Sequence, residues 1–435
     1  MVSRMTDFSI SPGVKPGGPG KRRWAVVGLL SLGMIIAYLS RSNISVVLAI
    51  PDFVRLFHLS DTDRGMVNSA FFWAYAALQI PSGWLVDRYG VKFPYAFSFV
   101  FWCIVSASTA FASSISSLMT SRILLGAAES LVAPASIRWI RCNFAEQERG
   151  LAVGLYLTGT KIGPAIAAPM AAWLTMTYGW RAMFLLLGLG GGIWLVPWLL
   201  LVKDDAPDGL SRITKKSEMN SVTFGRIMAS PVTWGTVIAT FCYMYFVYFC
   251  MTWMPAYFIE QRHLSLSRMG FYAFFSFGGM AIVAVLAGWA ADLMIARGGK
   301  PVAVRKWFTI GGFAIACTEL VGAQSSSVTL ALTFAVVSLS GLGLATANYW
   351  ALTQTLVPAA AIGRVSGVQN CVASLACIVA PILTGWLKQQ TGSYKAPMQV
   401  IWFFLVVGIL SYLLLMRQEY APGTRAEQRV SVGSH

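Results

Sequence analysis

The feature that most constrains this chain is a series of long apolar runs separated by short polar loops. The runs cover approximately 24–50, 65–86, 93–112, 116–140, 150–175, 181–202, 233–258, 269–292, 305–323, 327–350, 362–387 and 396–416. Several reach roughly 18 residues or more, the length a helix needs to cross a bilayer. Lipid offers no partner to backbone N–H and C=O groups, so a spanning segment must satisfy them internally, as a helix does. Twelve such runs predict an all-α membrane protein. Composition points the same way: 56% of residues are hydrophobic and 11% charged, whereas a soluble domain carries about a quarter charged residues. With so few charges a soluble fold could not cover its surface.

Every connection is short except residues 203–230, which carry Lys203, Asp204, Asp205, Asp208, Lys215, Lys216 and Glu218. The expected organisation is a tail (1–23), a first six-helix bundle (24–202), a linker (203–230), a second six-helix bundle (231–416) and a second tail (417–435). The first tail is polar, with Pro and Gly from Pro12 to Gly20 and then Lys21, Arg22 and Arg23, and is expected to be disordered. The apolar run behind it is too long for a cleaved signal peptide. Placing both termini in the cytoplasm puts 23 Lys and Arg on that side and seven on the other. The positive-inside rule selects that orientation, and it accounts for the net charge of +16 without any nucleic-acid partner. The single Asn-x-Ser sequon, Asn43-Ile44-Ser45, falls inside a span; with the short loops, this fits a bacterial inner membrane.

Catalytic and metal motifs are missing. The seven cysteines form no CxxC pair and the three histidines are isolated, so neither a metal nor a cofactor is expected. There is no HExxH, no GxSxG supported by His and no Walker motif. The chain is therefore not expected to be an enzyme or to use ATP directly.

An internal repeat organises the rest. Gly83-Trp84-Leu85-Val86-Asp87-Arg88 closes the second span of the first half, and Gly288-Trp289-Ala290-Ala291-Asp292 closes the second span of the second half, 205 residues later. Two parallel six-helix halves around a central site form a transporter architecture. With Gly90 and Lys92 added, Gly83-x-x-x-Asp87-Arg88-x-Gly90-x-Lys92 resembles the signature loop of the major facilitator superfamily, although Val91 occupies one usually basic position. Gly83 is expected to permit close helix contact. Asp87, Arg88 and Asp292 are expected to lock one conformation, with Asp87 meeting a helix end or an Arg.

Charges inside the spans are the candidate functional groups. On insertion scales a charge at the bilayer centre costs about 2.5–3.5 kcal/mol, so it persists where it is paired, wet or used. Arg41, Arg122, Glu129 and Lys161 lie deep. Glu319 lies nearer a helix end and is expected to be structural or wet near the outer surface. A planar guanidinium at Arg41 suits bidentate capture of a carboxylate. Arg122 and Glu129 are seven residues apart, nearly two turns or about 10 Å, and so share one helix face. They are expected to share a polar cavity, with Gly126 opening space between them. Burial disfavours an ionised carboxyl and a nearby cation favours it, so moving Arg122 against Glu129 would switch proton affinity. The plainer reading is a static pair that orders the bundle. For Lys161, two readings stand open: a second cation for a dianionic substrate, or a partner for Glu129 or Asp87. Asn348, Gln354 and Asn370 put amides into otherwise apolar helices, where they either read hydroxyl groups or join helices.

The Tyr38-x-x-Arg41-x-Asn43 context resembles the anion:cation symporter family, which includes bacterial galactonate, glucarate and hexuronate carriers. That resemblance implies a substrate role for Tyr75 and Asn370, and a proton-coupling role for Glu129 with Arg122 as its modulator. It departs at Ser40, where many members carry an Asp and one proton site is therefore missing, and at Lys161 and Ser374. The expected function is proton-coupled uptake of a small organic anion such as a sugar acid, by a monomer in the lipid bilayer. The alternatives are sodium-coupled, exchange or efflux transport of other organic anions (dicarboxylates, aromatic acids), or a sensor on a transporter fold.

Overall fold

The structure, a computed structural model, describes residues 20–203, 225, 228–357 and 359–417. The linker charges after Lys203 and most of both tails lie outside the described residues. Among the described residues the secondary structure is helical, without a strand.

The first half comprises α1 (Gly20–Val47), α2 (Pro51–Leu56), α3 (Asp61–Tyr89), α4 (Lys92–Ser108), α5 (Ile115–Glu129), α6 (Val132–Asn143), α7 (Glu146–Gly191) and α8 (Leu195–Leu201). The second half comprises α9 (Pro231–Thr252), α10 (Leu266–Ala296), α11 (Pro301–Ala316), α12 (Glu319–Gln324), α13 (Val328–Leu356), α14 (Ala359–Thr391) and α15 (Lys395–Leu414). Nine stretches of the described residues are long and apolar enough to cross a membrane. The stretch running through α7 and α8 holds two spans, because Gly179 (φ 82°) breaks α7 where a left-handed residue is needed. The charged ends of α3, and the break between α11 and α12 at Cys317 and Thr318, account for the remaining two spans. The twelve spans read from the sequence are thus present, within a few residues.

Local sequence sets the helix ends. Ser60 caps α3 in a reciprocal box with Asp63, and Ser114 caps α5 with Ser117, each satisfying amides that a helix start leaves free. Gly90, at φ 79°, ends α3. Within the first half α1 lies on α7 and α3 on α5; within the second, α10 and α11 lie on α13, and α9 on α14 and α15.

Two faces of the bundle differ. At the end where α3 begins, the Asp61 face, the halves are in contact. Cβ atoms on Gly65 or Gly385 would collide with the backbones of Pro381 and Asp61, and one on Gly270 would lie 2.9 Å from Pro169 Cα. Within the second half, Trp253 Nε1 donates to Pro381 O at 2.9 Å beside that contact. Along α3, Arg64, Gly65 and the run Val67–Phe72 are buried, whereas Trp73, Leu78, Ile80, Trp84 and Tyr89 are exposed. At the opposite, Asp87 face, Gly154 and Thr158 of α7 and Gly367 and Asn370 of α14 are exposed. The halves converge at the Asp61 face and part toward the Asp87 face.

Ion pairs mark both faces. At the Asp61 face Arg64 bridges Asp61 (2.8 Å) and Glu260 (2.7 Å), and Lys388 bridges Asp61 (2.8 Å) and Glu260 (2.6 Å). Tyr394 Oη donates to Glu260 at 2.9 Å. This cluster joins the two halves. Burial acts to raise the Glu260 carboxyl, but Arg64 and Lys388 outweigh it and hold it below the usual carboxylate range. At the Asp87 face Asp87 pairs with Arg138 of α6, and Asp292 with Arg305 of α11 at 2.8 Å. Arg88 instead lies over the Trp84 and Tyr89 rings. A Cβ on Gly83 would meet nothing within 4 Å, so the close contact expected at Gly83 is absent in this conformation.

Candidate functional site

The deep charges assemble around α1. Arg41 is buried, and its Nε donates to Glu129 Oε2 at 2.5 Å. The rings of Tyr38, Phe71 and Tyr75 surround the guanidinium at 5.0, 4.9 and 4.9 Å, positions from which an aromatic face attracts a cation. Glu129 has no exposed surface, and its second oxygen, Oε1, has no hydrogen-bond partner. A buried acceptor left without a donor costs about 1–3 kcal/mol, more when charged.

Arg122 lies in the same buried cluster as Glu129 without pairing with it directly; its Nη1 and Nη2 donate to the backbone oxygens of Ser40 (3.1 Å) and Arg41 (2.8 Å). Arg122 thus holds the backbone that carries Arg41, and its charge remains in the cluster. Gly126 does not open space either. A Cβ there would collide with the Phe71 backbone, so the glycine lets α5 press against α3. Ser40 accepts from Trp102 Nε1 at 2.9 Å. Each of these contacts crosses between helices, and so has no signature in a single helix's spacing.

The second half supplies polar and aromatic groups. The Phe72 and Tyr248 rings meet edge to face at 4.8 Å. Tyr248 and Cys377 lie near Arg41, and Cys377 also near Tyr38. Asn370, Ser374 and Cys377 follow at i, i+4 and i+7 and share one face of α14. Asn370 is exposed on that face, two turns from Cys377 toward the Asp87 face. Gln354 is also exposed, near the Asp87 end of α13. Asn348 differs: it is fully buried, its amide donates to Leu344 O of its own helix at 3.0 Å, and its Oδ1 has no hydrogen-bond partner. Gln369 joins α9, α13 and α14 by donating to Thr240 (3.0 Å) and Thr353 (3.2 Å).

Lys161 makes no ion pair or hydrogen bond among the described residues. The partners once open to it are taken, Glu129 by Arg41 and Asp87 by Arg138. Glu319 is not wet: it is buried and accepts from Ser338 Oγ at 2.5 Å. The Asp61-face cluster was not singled out from the sequence, because Arg64, Glu260 and Lys388 sit at span ends where loop charges are ordinary. Opposite charges at the same end of α3, α9 and α14 were the available signal.

Residues 30–381 match the sequence model of the Major Facilitator Superfamily. The chain belongs to this superfamily. It is 27% identical over 426 residues to the D-galactonate transporter of Escherichia coli O6:H1, covering 93% of this chain and 97% of that protein. It is 29% identical over 427 residues to the hexuronate transporter of Bacillus subtilis, covering 94% and 99%. Its fold is similar to that of a bacterial homologue of the human lysosomal transporter Spinster in an inward-facing, occupied conformation, with a TM-score of 0.77 at 17% identity, covering 92% and 98%. As a Major Facilitator protein the chain is a multi-pass membrane transporter and not an enzyme, with the Arg41–Glu129 pair near its centre.

Proposed function

We propose that this transporter carries a small organic anion, a sugar acid of the galactonate, glucarate or hexuronate type, by proton-coupled symport and alternating access. The observation that carries this reading is the buried Arg41–Glu129 pair with an unpartnered carboxylate oxygen. An incoming substrate carboxylate competes with Glu129 for Arg41, which is suited to a carboxylate by its planar fork. Once displaced, Glu129 has lost the cation that offset its burial, and a bound proton restores neutrality. Substrate and proton thereby enter together. Arg122 keeps the α1 backbone fixed during the exchange. Tyr75, Asn370 and Gln354 provide hydroxyl and amide groups for a polyol chain. The names of the relatives support the substrate class.

In this reading both termini are cytoplasmic, following the Lys and Arg distribution, and the chain works as a monomer in a bacterial inner membrane. The Asp61 face is then outside and closed, and the cavity opens inward. The test is uptake of labelled sugar acids into proteoliposomes under imposed proton and sodium gradients. Accumulation that follows the proton gradient and collapses with a proton ionophore is expected. Accumulation that follows sodium, or exchange insensitive to both gradients, would overturn the coupling.

A further inference from the structure

We infer that Lys161 is a specificity-determining residue: it provides the counter-charge for a second acid group and makes the central cavity select diacids over monoacids of the same carbon skeleton. This rests on reading the cavity as an organic-anion site.

Position comes first. Lys161, Pro164 and Ala168 stand at i, i+3 and i+7 and share one face of α7. Pro164 and Ala168 line a narrow apolar cleft between the halves, with Ser42 and Val46 of α1 across from Met254 and Phe277 of the second half. Lys161 therefore shares the face of α7 that looks toward the second half, one turn nearer the Asp87 face, where Gly154 and Thr158 are exposed. It is half-buried. Lys161 lies 15 residues from Glu146, where α7 starts, which is about 22 Å along the helix axis. A lysine stem cannot bring its ammonium to either membrane surface from there, so the charge stays in the cavity.

Height comes next. A Cβ on Gly163 would lie 2.6 Å from Tyr38 Cβ, which sets α7 against α1 in register. Arg41 is three residues beyond Tyr38, and Lys161 two residues before Gly163. The two cations are thus offset by about five residues, or about 8 Å along the bundle. A short polyol with an acid at each end can span that offset, one acid on Arg41 and one on Lys161.

Charge balance points the same way. Arg41, Arg122 and Lys161 are positive and Glu129 negative. The second-half groups placed at the site, Tyr248, Cys377, Ser374 and Asn370, add no formal charge. The cavity is net positive whether Glu129 is ionised or protonated. In both states a second substrate charge brings it closer to neutrality, which a low-dielectric site rewards strongly.

The test compares binding of gluconate and glucarate to the purified full-length transporter by isothermal titration, for wild type, Lys161→Met and Lys161→Arg. Wild type should bind the diacid at least ten-fold more tightly. Lys161→Met should lose that preference while its monoacid affinity changes less than about three-fold, and Lys161→Arg should restore it. Equal affinity of wild type for both acids overturns the inference and leaves the anion site standing. Equal loss of both acids in Lys161→Met, or no rescue by Lys161→Arg, also overturns it. Binding of neither acid to wild type removes the anion-site reading, and this inference with it.

Discussion

Arg41 and Glu129, 88 residues apart in the chain, meet in a buried pair at 2.5 Å, with one oxygen of Glu129 left unpartnered. The same guanidinium that suits a substrate carboxylate is therefore already occupied by the protein's own. In the proposed cycle substrate binding breaks this pair, so that anion recognition and protonation share one residue contact, without a relay between distant sites. Breaking a buried pair by removing one partner costs about 3–5 kcal/mol, so the exchange has to be near-balanced: substrate for Glu129, and proton for Arg41.

Arg41→Ala should abolish detectable substrate binding. Loss of a buried charge partner costs about 2–5 kcal/mol in affinity, a drop of roughly thirty-fold or more. Titration of a sugar acid against the purified variant checks this. Affinity within a factor of two of wild type would take Arg41 out of the site.

Arg122→Gln should weaken binding less than Arg41→Ala and should also lower thermal stability. Arg122 acts through the backbone oxygens of Ser40 and Arg41, so its removal loosens the segment that carries Arg41. Thermal unfolding and substrate titration on the same sample separate the two effects. Full loss of binding with unchanged stability would give Arg122 a direct ligand role instead.

Gly126→Ala should destabilise the fold, because the added carbon collides with the Phe71 backbone. Overpacking of this kind costs about 1–3 kcal/mol. Phe71 also faces the Arg41 guanidinium, so substrate affinity should fall with stability. Unchanged melting would show that α3 and α5 are not tightly apposed there.

The Asp61-face cluster carries a pH dependence. The Glu260 carboxyl is held below its usual range by Arg64 and Lys388. Its contribution to closure is fully present above the ordinary glutamate value of about 4.3. It is lost as pH falls through the depressed value. The distance between spin labels at Thr62 and Gln389, which face each other across the two halves, should be short at neutral pH and lengthen in acid. Glu260→Gln should lengthen it already at neutral pH. An unchanged short distance in that variant would mean that the cluster does not hold this face closed.

Much of this architecture was legible in the sequence, and the reason is physical. A span must be long and apolar whatever it touches, so the runs mark the helices. The same holds for the deep charges, which stand out because lipid makes them costly. Their pairing was not legible. Helix spacing put Arg122 and Glu129 on one face two turns apart, but it could not name the close partner of Glu129, Arg41, supplied by a helix that meets α5 only in the folded bundle. Asn348 was ambiguous for a similar reason: an amide in an apolar helix reads alike whether it faces a ligand or its own backbone. Gly126 shows the converse, since a missing side chain can mark a void or a close contact.

The most direct test of the coupling is Glu129→Gln, measured for uphill accumulation and for counterflow exchange in the same proteoliposomes. Glutamine keeps the shape of the side chain and cannot release a proton. The expected result is exchange at a substantial fraction of the wild-type rate, with no accumulation under a proton gradient. Uphill accumulation by Glu129→Gln at the wild-type level would contradict the account and move the proton site elsewhere in the molecule.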